Sequence, residues 1–297
     1  MADGLGVTIK QLRLAKGLTQ AAIYSGIISR SFATRFESGQ YDISASKLFE
    51  ILDNLAISVD EFRFIHQHYQ PSPLDQALSQ TNRYYEQQNF PALSAWIKDH
   101  QQSPHAYDRL VASYMQIKLL SFDRAQFGIT AEILPAYQHL QETPTWTLQE
   151  LKFANVLVPL TMNDAGLAAL SPLMSKMALN CDRYLTPWGD PFKVLIDLLA
   201  FYGTVFQVLL SAKAFDLARE LKPKFKAIDP ADLDWDGRLS QQVWLALWDC
   251  YFGDWQAGDR ILKEIMTVEK QQRPYLDNNL RSIIQVRTAE AQRYRQK

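Results

Sequence analysis

Cysteine is nearly absent from this 297-residue chain: Cys181 and Cys250 stand 69 positions apart, with no Cys-x-x-Cys pair. That spacing argues against a disulfide framework or a structural zinc site and for two reduced, buried thiols. Net charge is almost absent too, at −1 from 31 basic and 32 acidic residues. Affinity for a polyanion would have to come from a local patch rather than from the whole chain. Thirteen prolines and twelve glycines are too few for a fibrous or disordered class. The sequence is read as having no apolar run of the roughly 18 residues a membrane span needs, and its amino terminus as lacking the apolar centre of a secretory leader. The expectation is a cytoplasmic protein with no membrane partner. Motifs for chemistry are also missing: no His-Glu-x-x-His, no Gly-x-Ser-x-Gly and no phosphate loop. The five histidines (His66, His68, His100, His105, His139) have no catalytic spacing. The chain is therefore expected to be no enzyme and to need no metal or cofactor.

The stretch Leu18 to Phe62 carries most of the information. Thr19 can cap a short helix through Ser25, with Gly26 closing the turn. Ser29 can cap a second helix to Ser38, where Gly39 supplies a left-handed stop. On that second helix Ala33 and Phe36 share one face, while Arg30, Ser31, Thr34 and Arg35 lie on the other. The polar face has two arginines and no acid. An arginine fork fits guanine O6 and N7, and serine or threonine can bond base edges or phosphate, so this is the chemistry of a recognition helix in a major groove. Glu37 reads differently, as a structural pin paired with Arg13 of the first helix. With Val7 to Ala15 before the pair, and Ser44 to Leu55 and Val59 to Ile65 after it, five short helices give the layout of a phage-repressor (Xre-like) helix-turn-helix domain. Residues 1–40 hold five basic side chains (Lys10, Arg13, Lys16, Arg30, Arg35) against Asp3 and Glu37.

All seven tryptophans follow residue 95, so the two parts of the chain are built differently. The sequence places a helix-turn-helix domain at 1–66, a proline-containing linker at 67–73 and a helical repeat domain at 74–297. From Pro73 onward the apolar spacing is helical throughout. It predicts eleven helices, near 74–88, 91–101, 104–120, 123–140, 147–162, 166–184, 191–211, 214–228, 237–252, 255–270 and 276–296. A pattern recurs: Phe90, Leu93, Trp96; Phe215, Ala218, Leu221; Trp255, Gly258, Ile261. FDRA at 122–125 echoes FDLA at 215–218. Phe215 and Trp255 are 40 residues apart, the length of one helix pair in tetratricopeptide-like arrays, where the small residue marks close helix approach. The expected fold is thus all-α, a helix-turn-helix domain followed by a tetratricopeptide-like α-solenoid. Such a solenoid has a concave groove suited to an extended peptide, and Arg83, Arg109, Asn155, Asn163, Tyr202 and Gln207 are candidates to line it. Asn155 stands out as an amide among Phe153, Val156 and Leu157, because a polar group there must find partners. The apolar strip Leu276, Leu280, Ile283, Ile284 and Val286 on the last helix needs cover, either from its own repeat or from a second subunit.

GIISRSFATRFESGQYDIS (Gly26 to Ser44) followed by LFEILDNLAISVDEF (Leu48 to Phe62), with a shortened turn between Gln20 and Ser29, resembles the Rgg (Rgg/GadR/MutR) group of transcription regulators. WTLQELKFANVL (Trp146 to Leu157) and CYFGDWQAGDRIL (Cys250 to Leu262) extend the resemblance over nearly the whole chain. The resemblance implies a homodimer on two-fold related double-stranded promoter DNA, gated by a short, usually hydrophobic imported signalling peptide, as in quorum sensing. By position it implies base contacts from Arg30, Ser31 and Arg35, a phosphate clamp from Gln20, and backbone contacts from Arg13 and Lys16, with Ser29 and Thr34 completing the DNA-facing set. The DNA-binding unit lacks the dimer-bridging cysteine that some members of the group carry. The alternative reading is a DNA-tethered scaffold whose repeats hold a protein such as RNA polymerase or a second regulator, without a small ligand.

Overall fold

A computed structural model describes residues 4–120, 129–271 and 278–296. The chain divides into two compact units, Met1–Ala77 and Leu78–Lys297. The described residues are helical, with a single isolated bridge between Thr186 and Gly189 and no strand.

In the first unit five helices follow one another: α1 (Leu5–Ala15), α2 (Gln20–Tyr24), α3 (Arg30–Glu37), α4 (Ala45–Leu55) and α5 (Val59–His66). Their starts are set by local chemistry. The Thr19, Ser29 and Ser58 hydroxyls accept from the backbone N–H three residues on, satisfying donors that the first helical turn cannot. Gly26 and Gly39 adopt φ of +82° and +76°, the left-handed geometry a glycine takes without cost. Helical spacing then gathers one core from Ile9, Ile23, Ala33, Phe36, Ile51, Leu52, Leu55 and Phe62. Asn54 on α4 donates to the Ile23 carbonyl at 3.1 Å, tying α4 to α2.

The next helices are α6 (Pro73–Glu86), α7 (Phe90–His100), α8 (Ala106–Leu120), α9 (Leu134–Glu142), α10 (Leu148–Phe153), α11 (Leu157–Ala165) and α12 (Leu170–Asp182). They are followed by α13 (Val194–Ser211), α14 (Phe215–Arg219), α15 (Leu221–Ala227), α16 (Trp235–Phe252), α17 (Trp255–Glu269) and α18 (Asn278–Arg295). Two helices expected to be continuous are broken, each by a proline. Pro223 has no N–H to give the Arg219 carbonyl, so 214–228 splits into α14 and α15, and the Trp248 Nε1 donates to that carbonyl instead at 3.1 Å. Pro159 likewise cannot bond the Asn155 carbonyl, and the chain tightens to a 3₁₀ turn over Ala154–Val156 between α10 and α11. The predicted helix at 123–140 is described only from residue 129, where α9 begins later, at Leu134; FDRA at 122–125, Pro274, Tyr275 and Leu276 lie outside the described residues.

The core of the second unit is α13, which packs against α11, α12 and α16. It corrects one expectation: Val194–Ser211 is long and apolar enough to cross a membrane, interrupted only by Asp197 among charged residues. Its burial within the unit explains that composition, since Leu199, Phe201, Val205 and Phe206 are completely covered. An aromatic ladder continues from it, with Phe206 6.0 Å from Phe225 and Phe225 stacked on Trp244 at 6.4 Å. The repeat pattern has the packing role assigned to it: a Cβ on Gly258 would sit 2.5 Å from the Ala246 carbonyl oxygen, so α16 and α17 meet where only glycine fits. Phe215 fills the layer beside Tyr294, at 4.3 Å. Both cysteines are free and buried.

Candidate nucleic-acid interface and repeat-unit cavity

On α3 the two faces separate as the spacing predicts. Ala33 and Phe36 are fully buried, whereas Arg30, Ser31, Thr34 and Arg35 are exposed. Thr34 donates to the Arg30 carbonyl at 3.2 Å, and Ser29 pairs with Ser31 at 3.3 Å while capping the helix. Tyr41, which sequence reasoning passed over, packs on Phe32 at 5.8 Å and lies 5.0 Å from the Arg35 guanidinium. A ring face under a guanidinium restricts its rotamers, so the Arg35 fork is partly preorganised. An aromatic two residues beyond the helix-ending Gly39 was the available signal.

One of the proposed backbone contacts needs correction. Arg13 is buried, donating from Nε and Nη2 to Glu37 at 2.7 and 2.8 Å and from Nη1 to the Leu18 carbonyl at 2.9 Å. Its fork is spent inside the unit and does not face solvent. Lys16 is exposed, but its ammonium donates to the Leu55 carbonyl at 2.7 Å, holding the end of α4. Gln20 is half-buried and gives one amide hydrogen to Glu37 at 2.9 Å; Tyr24 donates to the same carboxylate at 3.0 Å. Burial opposes the Glu37 charge, but these bonds from Arg13, Gln20 and Tyr24 outweigh it and hold the carboxyl below its usual range. Burial and the same carboxylate push the Tyr24 phenol up. His66 is half-buried: it bonds the Thr8 hydroxyl at 2.9 Å and stacks on Phe62.

In the second unit a cavity of about 640 Å³ opens between α8, the 154–156 turn with α11, α13 and α18. Asn155, Asn163 and Gln207 all line it. The Pro159 break places Asn155 there: Tyr114 donates to its Oδ1 at 3.3 Å, which fixes the amide so that Nδ2 remains as a donor. Val156, Pro159, Met162 and Val208 supply apolar wall. The other three groove candidates are elsewhere. Tyr202 is only 5% exposed, packed against Phe225 in the core, because its position on α13 faces the ladder. Arg83 is exposed on α6, and Arg109 is exposed with its guanidinium on the Ser103 carbonyl at 2.6 Å; neither lines the cavity.

Sequence reasoning missed the cations of this cavity, Lys118 and Arg287, and the contribution of α18 through Asn279, Ser282 and Ile283. The start of α18 is joined to the α6–α7 turn by neutral bonds. Gln88 Nε2 donates to Asn279 Oδ1 and to the Ser282 hydroxyl at 3.3 Å each, and Asn279 Nδ2 donates to the Tyr85 carbonyl at 2.9 Å. No periodicity in the sequence announces a contact across 190-odd residues.

Comparison with known proteins agrees with this geometry. Residues 9–62 match the helix-turn-helix family, so the first unit is a helix-turn-helix domain. No curated protein sequence matches the chain. The whole chain has the fold of several solved structures. A protein of Listeria monocytogenes EGD-e described as a transcriptional regulator superposes with a TM-score of 0.73 at 18% identity, covering 99% of both chains. The pheromone receptor Rgg2 of Streptococcus dysgalactiae gives 0.66 at 18% identity over 98% of this chain and 99% of its own. PrgX gives 0.62 at 13% identity over 98% and 94%. The chain therefore combines a helix-turn-helix domain with the helical architecture of Rgg2 and PrgX, in agreement with the resemblance read from its sequence.

Proposed function

We propose that this protein is a cytoplasmic, homodimeric transcription regulator that reads double-stranded promoter DNA with α3 and senses a short hydrophobic peptide in the second unit. The observation that carries the peptide reading is the cavity of about 640 Å³ that gathers Asn155, Asn163 and Gln207 beside apolar wall. Its volume falls within the usual range of ligand sites. Amides that can donate and accept suit a peptide backbone, and the apolar wall suits its side chains. The likeness in fold to Rgg2, whose name is that of a pheromone receptor, and to a PrgX/cCF10 complex supports the same reading. DNA recognition rests on the exposed Arg30, Ser31, Thr34 and Arg35, with Gln20 near the backbone. Ligand would act by biasing the placement of two DNA-reading units relative to half-sites about 34 Å apart.

A second reading, repeats that hold a protein partner, is favoured by one observation: Trp188 is 96% exposed, with Trp235 and Phe192 also exposed. The experiment that separates the two is titration of the purified protein with short hydrophobic peptides encoded near its own gene, with and without promoter DNA. Every tryptophan lies in the second unit, so intrinsic fluorescence reports on that unit. Saturable binding that changes DNA affinity supports peptide gating; DNA binding indifferent to every peptide supports the protein-partner reading.

A further inference from the structure

Asp197 is the only charged residue of α13. Seven-residue steps along a helix drift by only about 20°, so Asp197 shares a face with Thr204 and Ser211, which line the cavity further along the same helix. Ala200, one turn on, is exposed, so this face stays open beyond the lining. The start of the helix does not need Asp197, because Asp190 already accepts from the Val194 and Leu195 N–H groups at 3.0 and 2.8 Å. Asp197 itself is half-buried and forms no hydrogen bond or ion pair with a described residue. Burial pushes its carboxyl up to about 6; Lys152 of α10 opposes that rise through space without bonding it, and Asp190 adds to it. Near pH 7 most of the carboxyl is still ionised. Its charge also adds to the rise that burial causes in the Tyr114 phenol of α8 and the Cys181 thiol of α12. Tyr114 in turn donates to Asn155 at the cavity wall, so the carboxylate adjoins the cavity at its Asn155 end. A partly buried charge with no bonded counterion is costly, and a cationic ligand group would offset that cost.

We propose that the peptide recognised in this cavity bears a cationic group that pairs with Asp197, while Asn155, Asn163 and Gln207 bond its backbone. This rests on the peptide-sensing reading of the same cavity. The described lining includes the cations Lys118 and Arg287 and no acid, so charge orients the ligand with its cation toward the start of α13. At a rise of 1.5 Å per residue, Asp197 is about 15 Å from Gln207 along the helix, a span of about four to five extended peptide residues. A charge-assisted bond is about twice as strong as a neutral one, and a partly enclosed site screens it less than open surface does. The cation can be the peptide's own amino terminus or a Lys or Arg side chain, since a carboxylate accepts from either.

The test uses pools of C-terminally amidated octapeptides built from Leu, Ile, Val, Phe and Ala with one Lys at varied position. Each pool is made in four forms: free amine with Lys, free amine with Gln in its place, N-acetyl with Lys, and N-acetyl with Gln. The full-length protein and its D197N, D197S and D197E variants are dialysed against each form, and retained peptide is quantified by mass spectrometry, with tryptophan-monitored melting as the check on folding. Wild type should retain at least one singly charged form about ten-fold better than the uncharged form, equivalent to about 1.4 kcal/mol. Which singly charged form is preferred distinguishes terminus from side chain. D197N and D197S should lose the preference, through weaker retention of the charged form, and D197E should keep it. Equal retention of all four forms by wild type, or an unchanged preference in folded D197N or D197S, overturns the proposal while peptide sensing stands. Retention of no form by wild type overturns the peptide reading and the proposal together.

Discussion

Replacing Arg13 with methionine keeps an apolar stem and deletes the guanidinium fork, which separates a structural role from a phosphate contact. The Arg13 and Glu37 side chains are 10% and 4% exposed, so their interaction is nearly unscreened. Without Arg13 the Glu37 carboxylate keeps only the bonds from Gln20 and Tyr24. Removing one partner of a buried pair costs about 3–5 kcal/mol. At ~0.05–0.15 kcal/mol per residue, a unit of this size has a total stability on the order of 4–12 kcal/mol, so a large share would be lost. Tryptophan fluorescence is blind to the first unit, because every tryptophan is in the second. Amide hydrogen exchange in the full-length chain is therefore the assay. Protection across α1 to α3 should fall by about 10² or more, at tenfold per 1.4 kcal/mol, while the tryptophan melting transition stays in place. The R13M/E37Q double variant should recover part of the loss, since it leaves no uncompensated buried charge. Exchange in R13M within about two-fold of wild type would refute the assignment of Arg13 as an internal pin. The same network fixes a pH dependence. The Glu37 carboxyl is held below its ordinary value near 4.5, so its contribution is complete above that value and is lost as pH falls through the lower folded one. Protection of α1 to α3 should therefore fall on acidification below about pH 4.5, and E37Q should blunt that fall.

Other substitutions separate recognition from packing. Arg30→Ala and Arg35→Ala should abolish promoter preference and leave α1 to α3 protected from exchange, because both side chains are exposed; selectivity that survives both changes would take α3 out of the groove. If each also touches a phosphate, the slope of log affinity against log salt should fall by about one per lost contact, whereas R13M should weaken binding by unfolding the unit. Gly258→Ala places a Cβ 2.5 Å from the Ala246 carbonyl and 2.9 Å from the Cys250 sulfur. Overpacking of that kind costs about 1–3 kcal/mol and should lower the tryptophan-monitored melting temperature by several degrees; an unchanged midpoint would mean that α16 and α17 can separate freely.

The first unit was legible because its signals are local. Thr19, Ser29, Gly26 and Gly39 act on backbone groups within a few positions, and Ala33 and Phe36 are one helical turn apart, so spacing alone carries the geometry. The Arg13–Glu37 pair was legible for a different reason: an acid directly after a core phenylalanine at a helix end reads poorly as a base contact. What failed was assigning Arg13 two duties, since a fork satisfied by a buried carboxylate and a carbonyl has little left for phosphate. The membrane test failed on α13 because a central helix of a repeat unit and a spanning helix have the same composition. Only the tertiary surroundings of Phe201, Val205 and Phe206 tell them apart.

The cavity marks the boundary of what one sequence can yield. Tyr202 and Gln207 are both on α13, five positions apart, yet one ring is in the core and the other side chain lines the cavity, because 3.6-residue periodicity puts them on different faces. Periodicity could have separated these two, given the direction of the core from Phe206. It could not have supplied Lys118 or Arg287, whose place depends on α8 and α18 meeting the same space. Nor could it have supplied the bonds from Gln88 to Asn279 and Ser282, which join neutral polar groups across most of the second unit. One local signal did exist. Pro159 four residues after Asn155 forbids an ordinary helical bond to the Asn155 carbonyl, and the resulting 3₁₀ turn places that amide at the cavity wall. A proline four residues beyond a lone amide in an apolar helix is thus a better guide to a lining residue than the amide alone, because it identifies where the helix must open its backbone.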